Sequence, residues 1–313
     1  MAPFNPEKDI PDLSGQVILV TGGTAGLGAQ TVLLLAAHNP AHVYFTGRSA
    51  AKANEVISEA QSKYPSVTVT FVELDLASLA SVQAGAKKFL DTNTRLDKLI
   101  CNAGVMALPA GLTKDGYEIQ FGTNHMGHAL LVKLLMPTLI ETAKQPGTDA
   151  RVVFLSSEGA TGHPFGGIIF KDLKTPQSFA ILGPWQRYGQ SKLANVLFAA
   201  ELARRYKDSG ILFLSIHPGV FNTGLVKDLG WGKKAFVWGS LLGKVKDEKK
   251  DGEGAWNTCW AATAKKTAQG NDIVNGEFYF PVGEPGKKTR DVTNAKLAGE
   301  LYEWTEKELK DWN

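Results

Sequence analysis

Short apolar or β-branched runs alternate with helical patterns along most of this chain. "QVILVT" precedes a helical pattern from Ala25 to Ala37, "HVYFTG" precedes one from Ala50 to Lys63, and "VTVTFVEL" precedes one from Ser78 to Thr92. The later runs "LDKLICN", "ARVVFLSS", "ILFLSIHPG" and "GEFYFP" are again separated by helical patterns. Continuous hydrophobic strands alternating with helices are typical of a parallel sheet covered on both faces. The alternation predicts a doubly wound α/β fold in a single domain, residues 1–313.

Composition and charge are those of an ordinary globular protein. The 313 residues are 43% hydrophobic and 21% charged, with a net charge of +3, so neither nucleic acid nor a membrane surface is indicated as a partner. The two cysteines, Cys101 and Cys259, fit a reducing compartment. No apolar leader is present at the N-terminus, and no run approaches the roughly 18 apolar residues of a spanning helix. We therefore expect a cytoplasmic location and small-molecule partners.

Two irregular stretches, residues 158–186 and 221–252, interrupt the alternation. The first is rich in Gly and Pro, and the second contains the mixed charge run "KVKDEKKDGE". Loops of this length are usually functional or disordered, so we expect both stretches on the substrate side. The sequence leaves open whether residues 221–252 form a lid or touch a membrane. Four aromatic residues in or beside these stretches would suit either an apolar substrate or the packing of a lid: Trp185, Phe221, Trp231 and Trp238.

A glycine-rich turn joins the first strand to the first long helix in "QVILVTGGTAGLGAQTVLLLAA". Gly22, Gly26 and Gly28 would allow a tight turn, close backbone approach and close helix packing, while the helix N-terminus offers N–H groups and a positive dipole to a pyrophosphate. A glycine cluster alone is equally consistent with an ordinary turn. The dinucleotide interpretation extends the candidate contacts to the residues between the glycines, Thr24, Ala25 and Leu27.

Cofactor choice depends on the end of the second strand. About twenty positions after the glycines, a dinucleotide-binding fold places an acid against the ribose of NAD or an arginine against the phosphate of NADP. Arg48 holds this position, and no acid occurs before Glu55. Arg48 therefore predicts NADP(H). Lys52 would either add a second positive charge or be solvated at the start of a helix.

Tyr188 and Lys192 lie four residues apart at the start of the amphipathic segment "YGQSKLANVLFAAELARRY". Residues at this spacing share one face of a helix, so the phenol and the ammonium are expected to meet. Taken alone, the pair is more often an ordinary surface contact than a catalytic one.

Motifs in the order of the chain resemble those of the short-chain dehydrogenase/reductase family. They are Thr21 to Gly28, "CNAG" at 101–104, Asn124 in "GTNHMGH", Ser157 in "FLSSEGA", Tyr188-x-x-x-Lys192, and "HPG" at 217–219. The resemblance covers Leu13 to about Phe280. Within the family, the sequence is similar to the short single-domain branch and, in that branch, to fungal members of the retinol-dehydrogenase-like group. It implies a seven-stranded Rossmann sheet and hydride transfer between a nicotinamide and a carbonyl or alcohol.

The resemblance also implies roles for four residues. Tyr188 would be the general acid in reduction and the base in oxidation, Lys192 would bond the nicotinamide ribose, and Ser157 would hydrogen-bond the substrate oxygen. Asn124 would hold a water linking Lys192 to solvent; the alternative is a helix Asn that faces solvent. Because a nearby ammonium favours a phenolate, we expect Lys192 to lower the pKa of Tyr188.

Further cofactor contacts are implied by the resemblance only. Asp75 would meet the adenine, although it could equally cap the helix that follows. The other implied contacts are Leu76, Asn102, Ala103, Gly104, Pro218, Val220 and Thr223.

The sequence leaves alternatives for metal binding, for the oligomeric state and for the function. His125 and His128 invite a metal interpretation, but no third ligand lies near them in sequence, and we expect no metal. The thirty residues between Ser157 and Tyr188 exceed the family's usual spacing and could line the substrate cleft or cover the helix face through which many members pair. A homo-oligomer is therefore doubtful. Two alternative functions are a catalytically idle NADPH-binding regulatory or interaction protein and an NAD-dependent dehydrogenase. The sequence names neither the substrate nor the direction of the reaction.

Overall fold

The computed structural model describes residues 4–219, 253–265, 267–268 and 271–312. Strands in these ranges form an eight-stranded sheet and a separate two-stranded pair made by β7 and β8. In chain order the strands are β1 (Val17–Val20), β2 (His42–Gly47), β3 (Thr68–Glu73), β4 (Lys98–Cys101), β5 (Arg151–Leu155), β6 (Leu212–Ile216), β7 (Thr267–Ala268), β8 (Asn271–Asp272), β9 (Phe278–Phe280) and β10 (Glu284–Pro285).

The large sheet has the order β3-β2-β1-β4-β5-β6-β9-β10. All its pairings are parallel except that of β9 with β10, which is antiparallel. Parallel neighbours require crossover connections, and the alternating helices supply them. The doubly wound α/β fold is thus confirmed. The predicted seven strands correspond to the seven parallel ones; the eighth, β10, has only two residues and carries no periodic pattern that could indicate a strand.

Helices lie on both faces of the sheet, and most predicted helices are present. In chain order they are α1 (Pro6–Asp9), α2 (Gly26–Ala36), α3 (Ala50–Lys63), α4 (Leu79–Leu90), α5 (Ile119–Phe121), a π-helical turn (Gly122–Met126), α6 (Gly127–Ala143), α7 (Gly183–Arg205), α8 (Trp256–Thr263) and α9 (Ala295–Glu308). In sequence, residues 116–143 carry a single amphipathic pattern, which the structure divides at the π-helical turn. None of the helices described is long and apolar enough to cross a membrane.

Alternate residues of the central strands enter two separate cores. On β1, Ile18 and Val20 pack in the core shared with α2, α3 and α8, while Leu19 packs in the core shared with α4, α6, α7 and α9. On β5, Val153 belongs to the first core and Val152 to the second. Both faces of these strands are buried, which explains why the strands are continuously hydrophobic in sequence.

The C-terminal helix α9 connects to the segment that leads into α6. Thr305 Oγ1 lies 3.1 Å from Nε2 of His125 in the π-helical turn, and the hydroxyl of Tyr117 donates to Glu308 at 3.0 Å. The first irregular stretch runs beside α9, since a Cβ on Gly167 would lie 2.7 Å from Leu297. The second stretch, residues 221–252, lies outside the described residues. Homo-oligomer formation and the single-domain organisation stay predictions.

A buried charge cluster closes the amino-terminal ends of β4 and β5. Asp149 lies 3.1 Å from the ammonium of Lys98 and 2.6 Å from the guanidinium of Arg151, and both of these side chains are only 1% exposed. Although burial opposes its ionisation, the charges of Lys98 and Arg151 lower the pKa of Asp149 to about 2. The carboxylate therefore compensates two buried cations at the edge of the sheet opposite the glycine turn.

We predict that Asp149→Asn lowers the free energy of unfolding at pH 7 by about 3–5 kcal/mol, because the two cations lose their carboxylate. An acid whose pKa is lowered on folding stabilises above its unfolded pKa of about 3.9 and loses that contribution as pH falls through its folded pKa. The difference between wild type and variant should therefore shrink between pH 4 and pH 2, as measured by urea unfolding. Asp91→Asn, which removes an exposed partner of Lys87, is the control and should cost at most about 1 kcal/mol.

Candidate active site

The glycine turn is packed too closely for side chains at its key positions. Gly22 has φ +68° and Gly26 has φ +57°, values that favour glycine. A Cβ on Gly28 would lie 2.2 Å from the carbonyl oxygen of Gly22, so α2 approaches the turn directly. Ala25, the N-cap of α2, has no side-chain acceptor for the first-turn N–H groups. These donors suit an external anion such as a pyrophosphate.

The end of β4 is tied to this turn through Thr21. The amide of Asn102 donates to the carbonyl oxygen of Thr21 at 2.8 Å, and the N–H of Ala103 donates to the Thr21 hydroxyl at 3.0 Å. A Cβ on Gly22 would lie 2.9 Å from the Cβ of Ala103. Asn102 and Ala103 therefore lie beside the glycine turn, and their contact with a cofactor, which the family resemblance implies, stays a prediction.

Thr21 also contacts a histidine that links it to Asn124. Nε2 of His128 lies 2.8 Å from the Thr21 hydroxyl, and Nδ1 lies 2.9 Å from the carbonyl oxygen of Asn124. Burial lowers the pKa of His128 to about 4, so the ring is neutral at pH 7. A carbonyl can only accept, so Nδ1 carries the proton and Nε2 accepts from Thr21. The sequence indicates His128 only as a possible metal ligand, because no local pattern shows that its ring meets Thr21.

Asn124 lies in the π-helical turn and is fully buried, so it does not face solvent. Its Oδ1 accepts from the N–H of Val105 at 2.8 Å, and its Nδ2 donates to the carbonyl of Val105 and to Oγ of Ser191, both at 2.9 Å. The turn is closed by the N–H of Gly127 donating to the carbonyl of Gly122. π-helical turns of this kind are frequent at functional sites. The expected water beside Asn124 stays a prediction.

Lys192 is buried at the carboxyl end of β5. Its ammonium donates to the carbonyl of Leu155 at 2.9 Å and lies 5.8 Å from the centre of the Tyr188 ring. A Cβ on Gly104 would lie 3.3 Å from the ammonium and 3.2 Å from Oδ1 of Asn124. Glycine at position 104 therefore leaves room for both groups at the end of β4.

The two adjacent serines after β5 have different environments. The hydroxyl of Ser156 donates to the backbone carbonyl of Lys192 at 2.7 Å and so joins β5 to α7. Ser157 hydrogen-bonds Tyr188, and its Oγ also accepts from the N–H of Gly159 at 3.0 Å. Of the two hydroxyls, that of Ser157 contacts the Tyr188 phenol, and its predicted contact with the substrate oxygen stays a prediction.

The pKa of Tyr188 differs from the expectation. Burial raises it above its usual range, and the hydrogen bond from Ser157, which favours the phenolate, opposes this rise only in part. We expected Lys192 to lower the pKa, but the ammonium donates to Leu155, and its own pKa is lowered to about 8 by burial. The expectation is therefore wrong for this structure, in which burial sets the direction of the shift and the phenol is protonated at neutral pH.

The predicted phosphate-binding cations lie at the surface near the glycine turn. Arg48 follows β2 directly and is exposed, and a Cβ on the preceding Gly47 would lie 2.6 Å from the methyl group of Thr24. The end of β2 therefore contacts the glycine turn. Lys52 is exposed in the first turn of α3, whose N-cap is Ser49. Both cations are open to solvent on this side of the sheet.

The remaining predicted contacts follow other strands. Oδ1 of Asp75 accepts from the N–H of Ala77 at 3.0 Å, whereas the N-cap of α4 is Ser78, so the helix-cap alternative for Asp75 is wrong. Leu76 is buried against Gly127 of α6, where a Cβ would lie 2.5 Å from the carbonyl oxygen of Leu76. Pro218 follows β6 and is partly exposed. Val220 and Thr223 lie outside the described residues.

The two histidines of the "NHMGH" sequence contact different elements. His125 meets Thr305 of α9, whereas His128 meets Thr21 of the glycine turn. Across the part of the chain that the structure describes, no group of three potential metal ligands occurs.

Two glycines outside the predicted site, Gly159 and Gly189, allow the segment that follows Ser157 to pack closely against Tyr188 and its helix. A Cβ on Gly189 would lie 2.6 Å from the carbonyl carbon of Gly162, and a Cβ on Gly159 would lie 3.1 Å from the Tyr188 ring. The 3₁₀-helical turn Glu158–Gly162 therefore packs directly on α7. The letters "YGQSK" give no hint of this, because a helical glycine signals close packing only when its neighbour is known.

We predict that Gly189→Ala lowers the free energy of unfolding by about 1–3 kcal/mol through this backbone clash. Alanine is otherwise favoured over glycine inside a helix by about 0.5–1 kcal/mol, so the clash must outweigh helix propensity. Gly162→Ala is the matched control, because a Cβ there meets no atom within 4 Å. Urea unfolding of both variants tests this, and a Gly189→Ala variant as stable as wild type would contradict it.

Comparisons with known proteins agree with the motifs. The family model for short chain dehydrogenase matches residues 16–170. The short-chain dehydrogenase/reductase drtF of Aspergillus calidoustus is 38% identical over an alignment of 323 residues that covers 99% of this chain and 98% of that protein. A solved structure of an uncharacterized protein from Mycobacterium paratuberculosis has a TM-score of 0.74 and 30% identity, covering 99% of this chain and 98% of that one.

A second solved structure, the RhlG/NADP active-site complex of Pseudomonas aeruginosa, has a TM-score of 0.63 and covers 87% of this chain and 96% of that one. Its identity is 22%, so the likeness concerns the fold alone. The retinol-dehydrogenase-like subgroup stays a prediction. The similarity to drtF extends over nearly the whole of both proteins, and the chain therefore belongs to the short-chain dehydrogenase/reductase family of oxidoreductases.

Proposed function

We propose that this protein is an NADP(H)-dependent oxidoreductase that transfers hydride between the nicotinamide and the carbonyl or alcohol carbon of a lipophilic small molecule. The observation that carries the proposal is the meeting of Ser157, Tyr188 and Lys192 at the carboxyl end of β5, beside Asn124 and the glycine turn. Ligands of open α/β sheets bind at this edge, where the carboxyl ends of the strands meet.

The residues of the glycine turn fit a dinucleotide. The backbone of Gly22 to Gly28 and the N-terminus of α2 would receive the pyrophosphate, and Asn102 to Gly104 would lie along the remainder of the cofactor. A bound nicotinamide would supply or accept the hydride. Lys192, whose ammonium lies at the end of β5, would hold the ribose nearest the reacting carbon.

Tyr188 would move the proton. Burial keeps its phenol protonated at neutral pH, so it holds the proton that a developing alkoxide needs during reduction. The single O–H of Ser157, which donates to the phenol in this structure, would donate instead to the oxygen of a bound substrate and stabilise its developing charge. In the oxidation direction, the hydrogen bond from Ser157 would favour the phenolate form that accepts a proton.

A preference for NADP(H) is supported by charge. Arg48 and Lys52 are both exposed close to the glycine turn, where a ribose phosphate would lie, and no acid replaces Arg48. The RhlG complex, which shares the fold, contains NADP. An NAD-dependent enzyme remains the alternative.

An apolar substrate is supported by a small cluster made by Met106, Ala107 and Trp185, which packs beside the start of α7. Three of the four aromatic residues first considered, Phe221, Trp231 and Trp238, lie outside the described residues. The cytoplasmic location stays a prediction. A catalytically idle NADPH-binding protein is disfavoured, because Asn124, Ser157, Tyr188 and Lys192 are all present.

We predict that Tyr188→Phe lowers kcat/KM for NADPH-dependent carbonyl reduction by about 10²- to 10⁴-fold, because the hydroxyl that donates the proton is lost. The measurement is NADPH consumption with a panel of aldehydes and ketones graded by size and polarity. NADPH binding, followed by its fluorescence, should change little and is the control. Tight binding without turnover in the wild type, for any carbonyl or alcohol, would favour the idle alternative.

We predict that Arg48→Ala weakens NADPH binding by about tenfold to a hundredfold, the value of a hydrogen bond to a charged group, and leaves NADH binding nearly unchanged. Dissociation constants for both cofactors, obtained by fluorescence titration, test the change in preference. Lys52→Ala is the matched variant and should have the smaller effect, because Lys52 lies one helical turn farther along the chain. An unchanged NADPH-to-NADH ratio in Arg48→Ala would favour the NAD-dependent alternative.

A further inference from the structure

Arg187, the residue before Tyr188, has a buried guanidinium that contacts three separate segments. The side chain is 3% exposed, and its Nε lies 3.2 Å from Oε1 of Glu118. Nη1 donates to the carbonyl of Gln177 at 2.9 Å, and Nη2 donates to the carbonyl of Leu108 at 3.0 Å. The charge is thus compensated by one carboxylate, and the planar group is held by two backbone carbonyls.

The segment containing Glu118 leads into the π-helical turn. Oε2 of Glu118 accepts from the N–H groups of Gln120 and Phe121, which begin α5, while its own N–H donates to the carbonyl of Leu173 at 2.8 Å. The side chain of Gln120 donates to the carbonyl of Pro184 at 2.8 Å. Glu118 and Arg187 therefore connect α5, the stretch 158–186 and the start of α7.

The other two segments carry unusual backbone conformations at the point where Arg187 holds them. Ala107, adjacent to Leu108, has φ +52°, and Gln177 has φ +50°. Such values are unfavourable for residues other than glycine and persist only where surrounding contacts enforce them. The two hydrogen bonds from Arg187 are contacts of this kind.

These segments form one wall beside Tyr188. Ala107 is 1% exposed and packs with Met106 and Trp185, so the loop after β4 and the first turn of α7 share an apolar cluster. The wall lies at the carboxyl end of the sheet, on the same helix turn as Tyr188. Leu108 follows Ala107 directly, and Trp185 precedes Tyr188 by three residues on α7, so a displacement of Leu108 would act on the apolar cluster on the turn of α7 that carries Tyr188.

We propose that Arg187 is a positioning residue that fixes this apolar wall, and that it thereby determines how tightly the carbonyl substrate is held against Tyr188. The inference rests on the function proposed above. Arginine suits the task because its planar group donates in several fixed directions at once, whereas a lysine presents a single ammonium. Arg187 touches neither cofactor nor substrate in this proposal and acts through the loops that it holds.

The first test compares steady-state kinetics of Arg187→Lys, Arg187→Met and the charge-neutral double variant Glu118→Gln/Arg187→Met with wild type. The double variant avoids an uncompensated buried carboxylate, which would otherwise destabilise the fold. We expect KM for the best carbonyl of the panel to rise by about tenfold to a hundredfold, as loss of charged hydrogen bonds predicts, with a smaller change in kcat. NADPH affinity should be retained.

Arg204→Met is the matched control. Arg204 is on the same helix and pairs with Glu201, but it is largely exposed. Its loss should leave KM and kcat unchanged. Equal falls in kcat and NADPH affinity in the Arg187 variants, or a KM equal to that of Arg204→Met, would overturn the proposal.

A rescue variant distinguishes positioning from general stability. Glycine adopts positive φ without cost, so Ala107→Gly should favour the native loop even when the Arg187 bond is missing. Adding Ala107→Gly to the Glu118→Gln/Arg187→Met variant should bring the raised KM part of the way back to the wild-type value. A further rise in KM, of the size expected for an additional cavity, would contradict the idea that Arg187 acts through the loop at Ala107.

Hydrogen exchange supplies a measurement that does not require turnover. In the Arg187 variants, exchange should accelerate in residues 105–119 and 170–182, while β1 and α2 keep wild-type protection. If the protein reduces no carbonyl but this local pattern is found, the proposed function fails and the positioning role stands. Uniform acceleration throughout the sheet, or none at all, would overturn the positioning role even in an active enzyme.

Discussion

The hydroxyl of Thr21 is the point on which the arrangement of the site depends. It receives the N–H of Ala103 and donates to the ring of His128, which in turn donates to the carbonyl of Asn124. One small side chain thus joins β1, the end of β4 and the π-helical turn. Asn124 continues the chain of hydrogen bonds to Ser191 on α7, next to the backbone carbonyl of Tyr188.

This network of hydrogen bonds connects the glycine turn with the part of α7 that carries Tyr188. The hydrogen bonds of His128 with Thr21 and Asn124, and that of Asn124 with Ser191, are buried, where an unmatched donor or acceptor costs about 1–3 kcal/mol. The neutral tautomer of His128 is therefore fixed by its two partners. The carboxyl ends of the strands supply the site, and the opposite edge carries the charge cluster around Asp149, so the groups that stabilise the sheet are separated from those that would do chemistry.

Features with a strong local signal were predictable from the sequence. The strand β2 and the helix α3 have the predicted bounds, because a β-branched run and a capped amphipathic segment need no tertiary information. Gly22, Gly26 and Gly28 were recognisable because their spacing between a strand and a helix is itself a pattern. The pairing of Tyr188 with Lys192 followed from helix geometry alone.

Features that depend on distant contacts were not predictable. Gly189 matters because the turn at Gly162 packs on it, and Arg187 matters because three loops converge on it; neither fact is encoded in adjacent letters. The pKa of Tyr188 was misjudged for the same reason, since a charge four residues away is visible in sequence whereas the degree of burial is not. The division of the segment before α6 by a π-helical turn likewise leaves the amphipathic pattern almost unchanged.

The contacts of α9 determine when, during synthesis, the segment around Asn124 can acquire its native surroundings. His125 is hydrogen-bonded to Thr305, 180 residues farther along the chain, and Tyr117 is bonded to Glu308, 191 residues farther along. During synthesis the π-helical turn and the segment before it are therefore without these partners until residues 305–308 have left the ribosome. The strands β1 to β6 and the helices between them precede α9 in the chain, but the segment that carries Asn124 acquires its final surroundings only after α9 has been synthesised.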